Sequence, residues 1–153
     1  MSRRNMSLQS VGKISSLFIS KEGSKIRVEK DTIVLDLLGI TEDKYHNTNI
    51  ERSILITSLS SYILAKSKQI QMPYGSLGEN LLIDYDPYSL VTGRQLKIGT
   101  CILEISQNCT MCDHLSSIDE RLPELLKDDR GIFAKVLEKG EIKLGDTIYL
   151  VNT

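Results

Sequence analysis

Short β-favouring segments, separated by glycines and other turn-forming residues, constrain the fold of this chain more than any other feature. Residues 11–19 and 33–38 are rich in aliphatic side chains, Gly39 ends the second segment, and residues 54–56 form another apolar run. Runs of this length bounded by turn signals are typical of strands, and their spacing predicts about seven to nine strands. The pattern therefore predicts a mainly β fold whose sheet is closed or nearly closed.

Two segments depart from the strand pattern and predict helices. Ser58 can cap a helix in which the apolar residues of 59–66 recur at helical spacing. A second helix is predicted over residues 118–126, with Pro123 in its first turn, where the missing N–H removes no helical hydrogen bond. Residues 41–49 lack a clean period and are expected to form an ordered loop.

Residues 96–105 and 142–151 resemble each other and predict two hairpins. Each reads as a strand, a glycine turn and a strand. Gly99 and Gly145 would supply the positive φ that a tight turn needs. Any two hairpins look alike at this length, so the similarity does not indicate a duplication.

Size, charge and cysteine content exclude several classes of protein. The chain has 153 residues, of which 41% are hydrophobic, which fits one domain over residues 11–153 behind a polar leader at residues 1–10. A net charge of -1 lacks the basic footprint of a nucleic-acid-binding protein. No apolar run approaches the roughly 20 residues of a membrane-spanning helix. Three cysteines are too few for a secreted disulfide framework, so we expect a cytoplasmic protein.

The first candidate site is a Cys-x-x-Cys pair formed by Cys109 and Cys112, with His114 two residues further on. A zinc site needs four ligands, and Cys101 would have to complete this set. A thioredoxin-like pair requires a βαβ context, which the flanking sequence does not show. The spacing alone therefore leaves three interpretations open: a redox pair, a zinc site, or structural cysteines.

A loop bracketed by glycines is a second candidate site. Gly75 and Gly78 would let the backbone approach a ligand closely, and Glu79 and Asn80 would add a carboxylate and an amide. A carboxylate suits a pterin-type ring, because adjacent N–H donors pair with its two oxygens. Taken alone, the segment is equally a loop that enters a strand.

Basic side chains form further candidates. Lys44 and His46 lie in the 41–49 loop, Arg52 follows it, and Arg130 precedes a predicted strand. Side chains of these types can clamp a phosphate group, although each is also an ordinary solvated charge.

The order of these elements along residues 11–151 resembles the MOSC family, which is named after the C-terminal domain of molybdenum cofactor sulfurases. The specific elements are Gly78-Glu79-Asn80, the cysteine, and the segment RGIFAKVLEKGEIKLGD that begins at Arg130. The resemblance implies a MOSC-type β-barrel, closed or partly open, with about two short helices and a cleft beside the family's cysteine.

The resemblance also implies site residues. The family's cysteine, six residues beyond Ser106, corresponds to Cys112, which would hold molybdenum and act as the catalytic residue. The molybdenum cofactor (molybdopterin) would meet the Gly78-Glu79-Asn80 element at its pterin edge. Its phosphate and pyran side would meet four basic residues: Lys44, His46, Arg52 and Arg130. No pyridoxal phosphate site is expected.

Several functions fit these assignments. The chain would reduce N-hydroxylated substrates with electrons from a partner protein, or it would carry cofactor or sulfur, as a Cys112 persulfide, to a molybdoenzyme. A Cys-x-x-Cys redox or zinc protein is the alternative outside the family. Cys109 falls where many family members carry Arg, and Met111 where they carry Pro. The first change removes an anion donor and adds a second sulfur.

Overall fold

A computed structural model describes residues 7–24, 27–110 and 113–152. That part of the chain contains eleven strands and three short helices. The strands are β1 Ser7–Ser20, β2 Arg27–Lys30, β3 Thr32–Asp36, β4 Gly39–Ile40, β5 Ile54–Ser58, β6 Leu81–Ile83, β7 Gln95–Ile98, β8 Cys101–Asn108, β9 Ile132–Glu138, β10 Gly140–Lys143 and β11 Thr147–Asn152. The helices are α1 Leu59–Ser67, α2 Asp113–Ile118 and α3 Leu122–Leu125, and a 3-10 turn spans Ile50–Arg52.

Seven strands close a barrel in the order β11-β7-β8-β9-β5-β6-β1, and β1 returns to β11. Strand β2 continues the sheet beyond β1, while β10, β3 and β4 form a separate sheet of three strands. All the barrel pairings are antiparallel except that of β5 with β6. The mainly β, closed-barrel prediction is confirmed.

The long strand β1 closes the barrel by changing partners along its length. Its first half pairs with β11, and its second half pairs with β6 and β2. The register shifts between Ser10 and Gly12 and again between Ile14 and Ser16. A Cβ at Gly12 would lie 2.5 Å from a carboxylate oxygen of Asp84, so a glycine lets the neighbouring chain approach here.

The barrel interior is filled by aliphatic side chains, as the low aromatic content requires. Alternation along the strands puts Leu17, Ile54 and Ile132 inside, and each is at most 1% exposed. The neighbours Phe18, Leu55 and Phe133 therefore lie on the outer face. Leu55 and Phe133 are directly opposed on β5 and β9. This outer face forms the floor of the site described below.

A second apolar cluster lies between the helices and the outer face of β6. It includes Tyr62 and Ala65 of α1, Leu77 of the following loop, Leu82 of β6 and Leu115 of α2. The helices thereby hold the long segment between α1 and β6 against the barrel.

Helix α1 confirms its prediction, including the cap, because the Ser58 hydroxyl accepts the Ser60 N–H at 3.1 Å. The helix predicted over residues 118–126 is confirmed in part: α3 lies within this span with Pro123 in its first turn, but the chain between α2 and α3 is not helical. The Asp119 carboxylate accepts the Arg121 N–H at 2.8 Å, and this local turn competes with helical bonding.

The two predicted hairpins have different outcomes. Strands β7 and β8 pair across Gly99, as expected. The hairpin predicted over residues 142–151 is wrong, because β10 pairs with β3 whereas β11 pairs with β1 and β7. The turn at Gly145 therefore carries the chain from the small sheet to the barrel instead of reversing it within one sheet.

Two strand boundaries also differ from the sequence expectations. Strand β1 begins at Ser7, inside the predicted polar leader, and β3 ends at Asp36, before the exposed Leu37 and Leu38. None of the described helices is long and apolar enough to cross a membrane.

Candidate functional site

A cleft of about 910 Å³ opens over the outer face formed by Phe18, Leu55 and Phe133. One wall is the segment between β4 and β5, and the other is residues 73–78 of the segment between α1 and β6. Five of the residues predicted from the sequence line this cleft: Lys44, Arg52, Gly78, Asn80 and Arg130. The fold therefore brings together most of the predicted set from three separate parts of the chain.

The charge of the cleft is strongly one-sided. Among its described lining residues, Arg27, Lys44, Arg52 and Arg130 carry positive charge, and Asp43 supplies the single carboxylate. That carboxylate accepts two backbone N–H groups, from Ser20 at the end of β1 at 2.6 Å and from Tyr45 at 3.0 Å. The site therefore favours an anionic ligand.

Arg27 is the cleft residue that the sequence reasoning missed. One guanidinium N–H donates to the Glu79 carbonyl at 2.7 Å and another donates to the Ser20 hydroxyl, while Nε is buried without a hydrogen-bond partner among the described residues. Burial lowers the Arg27 pKa, and the Asp43 and Glu79 carboxylates oppose that shift. The alternating pattern of β2 predicts only a polar strand residue at this position. The direction of the Arg27 side chain depends on the long-range pairing of β2 with β1, which the local pattern does not contain.

Lys44 is fixed through its own backbone and that of its neighbours. Its N–H donates to the Ser20 carbonyl at 2.8 Å, and its Nζ lies 5.2 Å from the centre of the Tyr45 ring. With the Asp43 bonds to Ser20 and Tyr45, these contacts attach the 41–49 loop to the end of β1. Attachment to the barrel explains why this polar loop is ordered.

A cysteine, Cys109, lines the cleft. Cys109 is 5% exposed and packs against Leu55 and Phe133, and the Arg52 guanidinium carbon lies 4.7 Å from the centre of the Phe133 ring. Cys112 and Met111 lie outside the residues that the structure describes. The assignment of Cys112 as metal ligand and catalytic residue therefore stays a prediction.

Glu79 is fully buried and does not line the cleft. Its Oε2 accepts the Tyr62 hydroxyl at 2.6 Å and the Gly75 N–H at 2.9 Å. The Tyr62 oxygen in turn accepts the Gly75 and Leu77 N–H groups at 3.1 and 3.2 Å. Burial raises the Tyr62 pKa and the Glu79 carboxylate adds to the shift, so this hydroxyl remains a donor. The Glu79 carboxylate is thus hydrogen-bonded to other groups of the same chain.

Asn80 lines the cleft but has a structural task as well. Its side-chain oxygen accepts the Leu55 N–H at 2.9 Å, and its amide nitrogen donates to the Phe18 carbonyl at 3.2 Å. These bonds join β5 to β1 at the point where β6 begins between them. The assignment of Glu79 and Asn80 to a pterin edge stays a prediction.

Two other ionisable side chains of the cleft are hydrogen-bonded to backbone carbonyls. Arg130, 7% exposed, donates to the Leu77 carbonyl at 3.1 Å, and His114 Nε2 lies 2.8 Å from the Ser76 carbonyl. His46 has a different environment. It is not among the lining residues, and its Nε2 lies 2.8 Å from a carboxylate oxygen of Asp36.

The described residues contain no group of three or more His, Cys, Asp and Glu side chains arranged to hold a metal ion. Cys101 lies inside the barrel, where burial raises its pKa to about 12. Because Cys112 lies beyond the described positions, the redox and zinc interpretations of the Cys-x-x-Cys pair remain predictions.

The closed seven-stranded barrel, with short helices packed on its outer face and a basic cleft, defines a small β-barrel domain. The family model described as "MOSC domain" matches residues 42–149, and the chain belongs to this family. The resemblance found in the sequence is confirmed. No curated protein matches the chain.

Solved structures share the fold at low sequence identity. The YuaD protein from Bacillus subtilis is 17% identical with a TM-score of 0.82, and the match covers 96% of this chain and 100% of that one. YiiM from Geobacillus stearothermophilus is 17% identical with a TM-score of 0.72 over 92% of this chain and 75% of that one. YiiM from Escherichia coli is 17% identical with a TM-score of 0.68 over 92% and 70%.

Proposed function

We propose that this protein binds the molybdenum cofactor in the basic cleft. The observation that carries the proposal is the charge of the cleft, where four basic side chains face one carboxylate that already accepts two backbone N–H groups. A pterin cofactor with a phosphate group is an anion, so this imbalance would favour its binding. The MOSC family is associated with this cofactor in general, which supplies its identity.

The residues present fit such a group in size and in donor chemistry. A volume of about 910 Å³ is within the range of roughly 300–1,000 Å³ that is usual for cofactor sites. The buried Nε of Arg27 has no hydrogen-bond partner among the described residues, and a bound anion would satisfy it. Phe18, Leu55 and Phe133 give the floor an apolar surface suited to a ring system.

In this proposal the basic residues Arg27, Lys44, Arg52 and Arg130 bind and orient the anion, and Gly78 lets the backbone approach it. His46 supports the wall that carries Lys44 through its contact with Asp36. Cys112 holds the metal, an assignment that rests on the family resemblance. The bound cofactor would supply the oxygen-atom or sulfur chemistry, while the protein supplies binding and electrostatics.

Metal and pterin analysis tests the proposal directly. The protein should be produced in cells that make the cofactor, purified, and analysed for molybdenum and for oxidised pterin fluorescence. We expect both in the wild type, and a larger loss of molybdenum than of pterin in Cys112→Ala. Absence of both from the wild type and Cys112→Ala alike would refute cofactor binding.

A matched pair of arginine variants separates cleft binding from general charge. Arg130→Met removes a buried cleft donor, whereas Arg121→Met removes an exposed arginine that pairs with Asp119. Pterin content should fall at least about tenfold in the first variant, the equivalent of about 1.4 kcal/mol, and stay unchanged in the second. Equal retention by both variants would show that the cofactor binds elsewhere.

The reaction that uses the cofactor divides into two candidates. The first is reduction of an N-hydroxylated substrate with electrons from a partner protein, and a chemical reductant can replace that partner in an assay. The second is sulfur or cofactor transfer to a molybdoenzyme, which a thiol in the cleft, that of Cys109, favours. Substrate reduction that is lost in Cys112→Ala supports the first. Cofactor-dependent activation of an apo-molybdoenzyme without reduction supports the second.

A further inference from the structure

Three nitrogen-bearing side chains of the cleft are hydrogen-bonded to backbone carbonyls of one short segment, residues 73–79, here called the cleft loop. The pairs are Arg27 with the Glu79 carbonyl at 2.7 Å, His114 with the Ser76 carbonyl at 2.8 Å, and Arg130 with the Leu77 carbonyl at 3.1 Å. A carbonyl can only accept, so each side chain donates one N–H to the loop. The position of the loop therefore sets the direction in which the remaining donors point.

The cleft loop is itself fixed from behind by two side chains that do not line the cleft. The Tyr62 hydroxyl accepts the Gly75 and Leu77 N–H groups and donates to Glu79, whose carboxylate also accepts the Gly75 N–H. Tyr62 belongs to α1 and packs in the helical cluster. Its ring also meets the Tyr74 ring edge-on, with the centres 5.1 Å apart.

We propose that Tyr62 and Glu79 are positioning residues for anion binding, acting through the cleft loop on Arg27, His114 and Arg130. The inference rests on the proposed function in that it takes the cleft to be an anion site. Without the hydroxyl, two loop N–H groups and one carboxylate oxygen lose a buried partner, so the loop shifts and the guanidinium groups lose their alignment. The acidic residue of the Gly-Glu-Asn element thus contributes to ligand affinity without touching the ligand.

The first experiment measures binding of inorganic phosphate to the full chain by titration calorimetry. Tyr62→Phe removes only the hydroxyl, and we expect about a fivefold loss of phosphate affinity, equivalent to one hydrogen bond. Tyr88→Phe is the matched control, because the Tyr88 hydroxyl also bonds a backbone N–H, that of Ser58, and also lies against α1 through Ser61. Tyr88 is not among the cleft residues, so its variant should bind phosphate within about twofold of the wild type.

Coupling to a cleft cation distinguishes positioning from a general effect on stability. In an Arg130→Met background, the additional effect of Tyr62→Phe on phosphate affinity should shrink below about twofold. Arg27→Met replaces this background if it folds better than Arg130→Met. A change that only weakened the fold would lower the midpoint of thermal unfolding equally in both backgrounds and leave no such coupling. Full additivity of the two affinity losses would overturn the proposal.

Conservative and disruptive changes at Glu79 give an independent arm. Glu79→Gln keeps an acceptor oxygen for Tyr62 and Gly75 and should retain phosphate affinity within about twofold, whereas Glu79→Leu should lose about fivefold or more. Wild-type affinity in both Tyr62→Phe and Glu79→Leu would refute the positioning role and leave the cleft as an anion site. Failure of the wild type to bind phosphate would refute the anion site itself. Phosphate binding without pterin in the purified protein would refute only the identity of the cofactor.

Discussion

Replacing Asn80 by alanine tests whether this residue serves the barrel or a ligand. The side-chain oxygen accepts the Leu55 N–H and the amide donates to the Phe18 carbonyl, and all three residues are at most 7% exposed. Alanine would leave a backbone donor and a backbone acceptor without partners in the wall of the barrel. A buried group that loses its partner costs about 1–3 kcal/mol, so the two together cost about 3 kcal/mol or more.

The loss is large relative to the whole stability of the protein. A domain of this kind has a free energy of unfolding of about 5–15 kcal/mol, and a loss of about 3 kcal/mol lowers the midpoint of thermal unfolding by about 6–12 °C. Urea unfolding of the ligand-free protein, followed by circular dichroism, measures the difference directly. Asn80→Asp should cost at least as much, because a carboxylate would then face the Phe18 carbonyl, acceptor against acceptor.

Asn152→Ala provides the control. Asn152 also accepts a side-chain bond, from Arg94 at 2.7 Å, but this bond is only partly buried and joins no two strands of the barrel wall through their backbones. We expect a cost below about 1 kcal/mol. A loss of less than about 1 kcal/mol in ligand-free Asn80→Ala would contradict the structural role and return this side chain to the ligand.

Other predictions concern the backbone, a buried thiol and a surface carboxylate. Gly99 and Gly93 both have positive φ, but a Cβ at Gly99 would overlap the backbone of β10, whereas a Cβ at Gly93 would have nothing within 4 Å. Urea unfolding should therefore show that Gly99→Ala destabilises the protein by at least about 1 kcal/mol more than Gly93→Ala. Because burial raises the Cys101 pKa to about 12, iodoacetamide at pH 8 should leave this thiol unmodified in the folded protein and alkylate it in urea. Peptide mass spectrometry measures the alkylation, and an alkylated Cys101 in the folded protein would contradict the prediction. Hydrogen bonds from Arg121 lower the Asp119 pKa to about 2, so this carboxylate should be half protonated only when the pH has fallen to about that value. Arg121→Gln should move the midpoint in an NMR titration back toward 3.8, and an unchanged midpoint would exclude this cause.

The architecture followed from local patterns wherever one element decided its own conformation. Alternating or continuous aliphatic runs predicted strands, and Ser58 predicted the start of α1 correctly. The hairpin error arose where long-range pairing decided the outcome. The segments on either side of Gly145 have the pattern of a hairpin, yet each finds a better partner in another part of the chain. A turn signal predicts a change of direction and does not identify the strand that the chain meets afterwards.

The family layout predicted five lining residues of the cleft but not their neighbour Arg27. Lys44, Arg52 and Arg130 stand in or beside loops of the layout, where a basic residue attracts attention as a phosphate ligand. Arg27 stands in a strand whose pattern is typical of a solvent-facing edge. Only the pairing of β2 with the end of β1 turns its guanidinium toward Ser20 and the cleft loop. Information of this kind is absent from a local pattern.

The Gly-Glu-Asn element exposes a limit of reasoning from side-chain chemistry. A carboxylate and an amide were expected to pair with the N–H groups of a pterin, and both do pair with N–H groups, but these belong to Gly75 and Leu55 of the chain itself. Donor and acceptor types are the same in the two cases, so the sequence cannot distinguish them. The structure adds burial: Glu79 is 0% exposed and its Oε2 accepts the Tyr62 hydroxyl, which is the observation behind the positioning role that we propose for it. In that proposal an acidic residue contributes to a cationic site because it fixes the backbone to which the cations are attached.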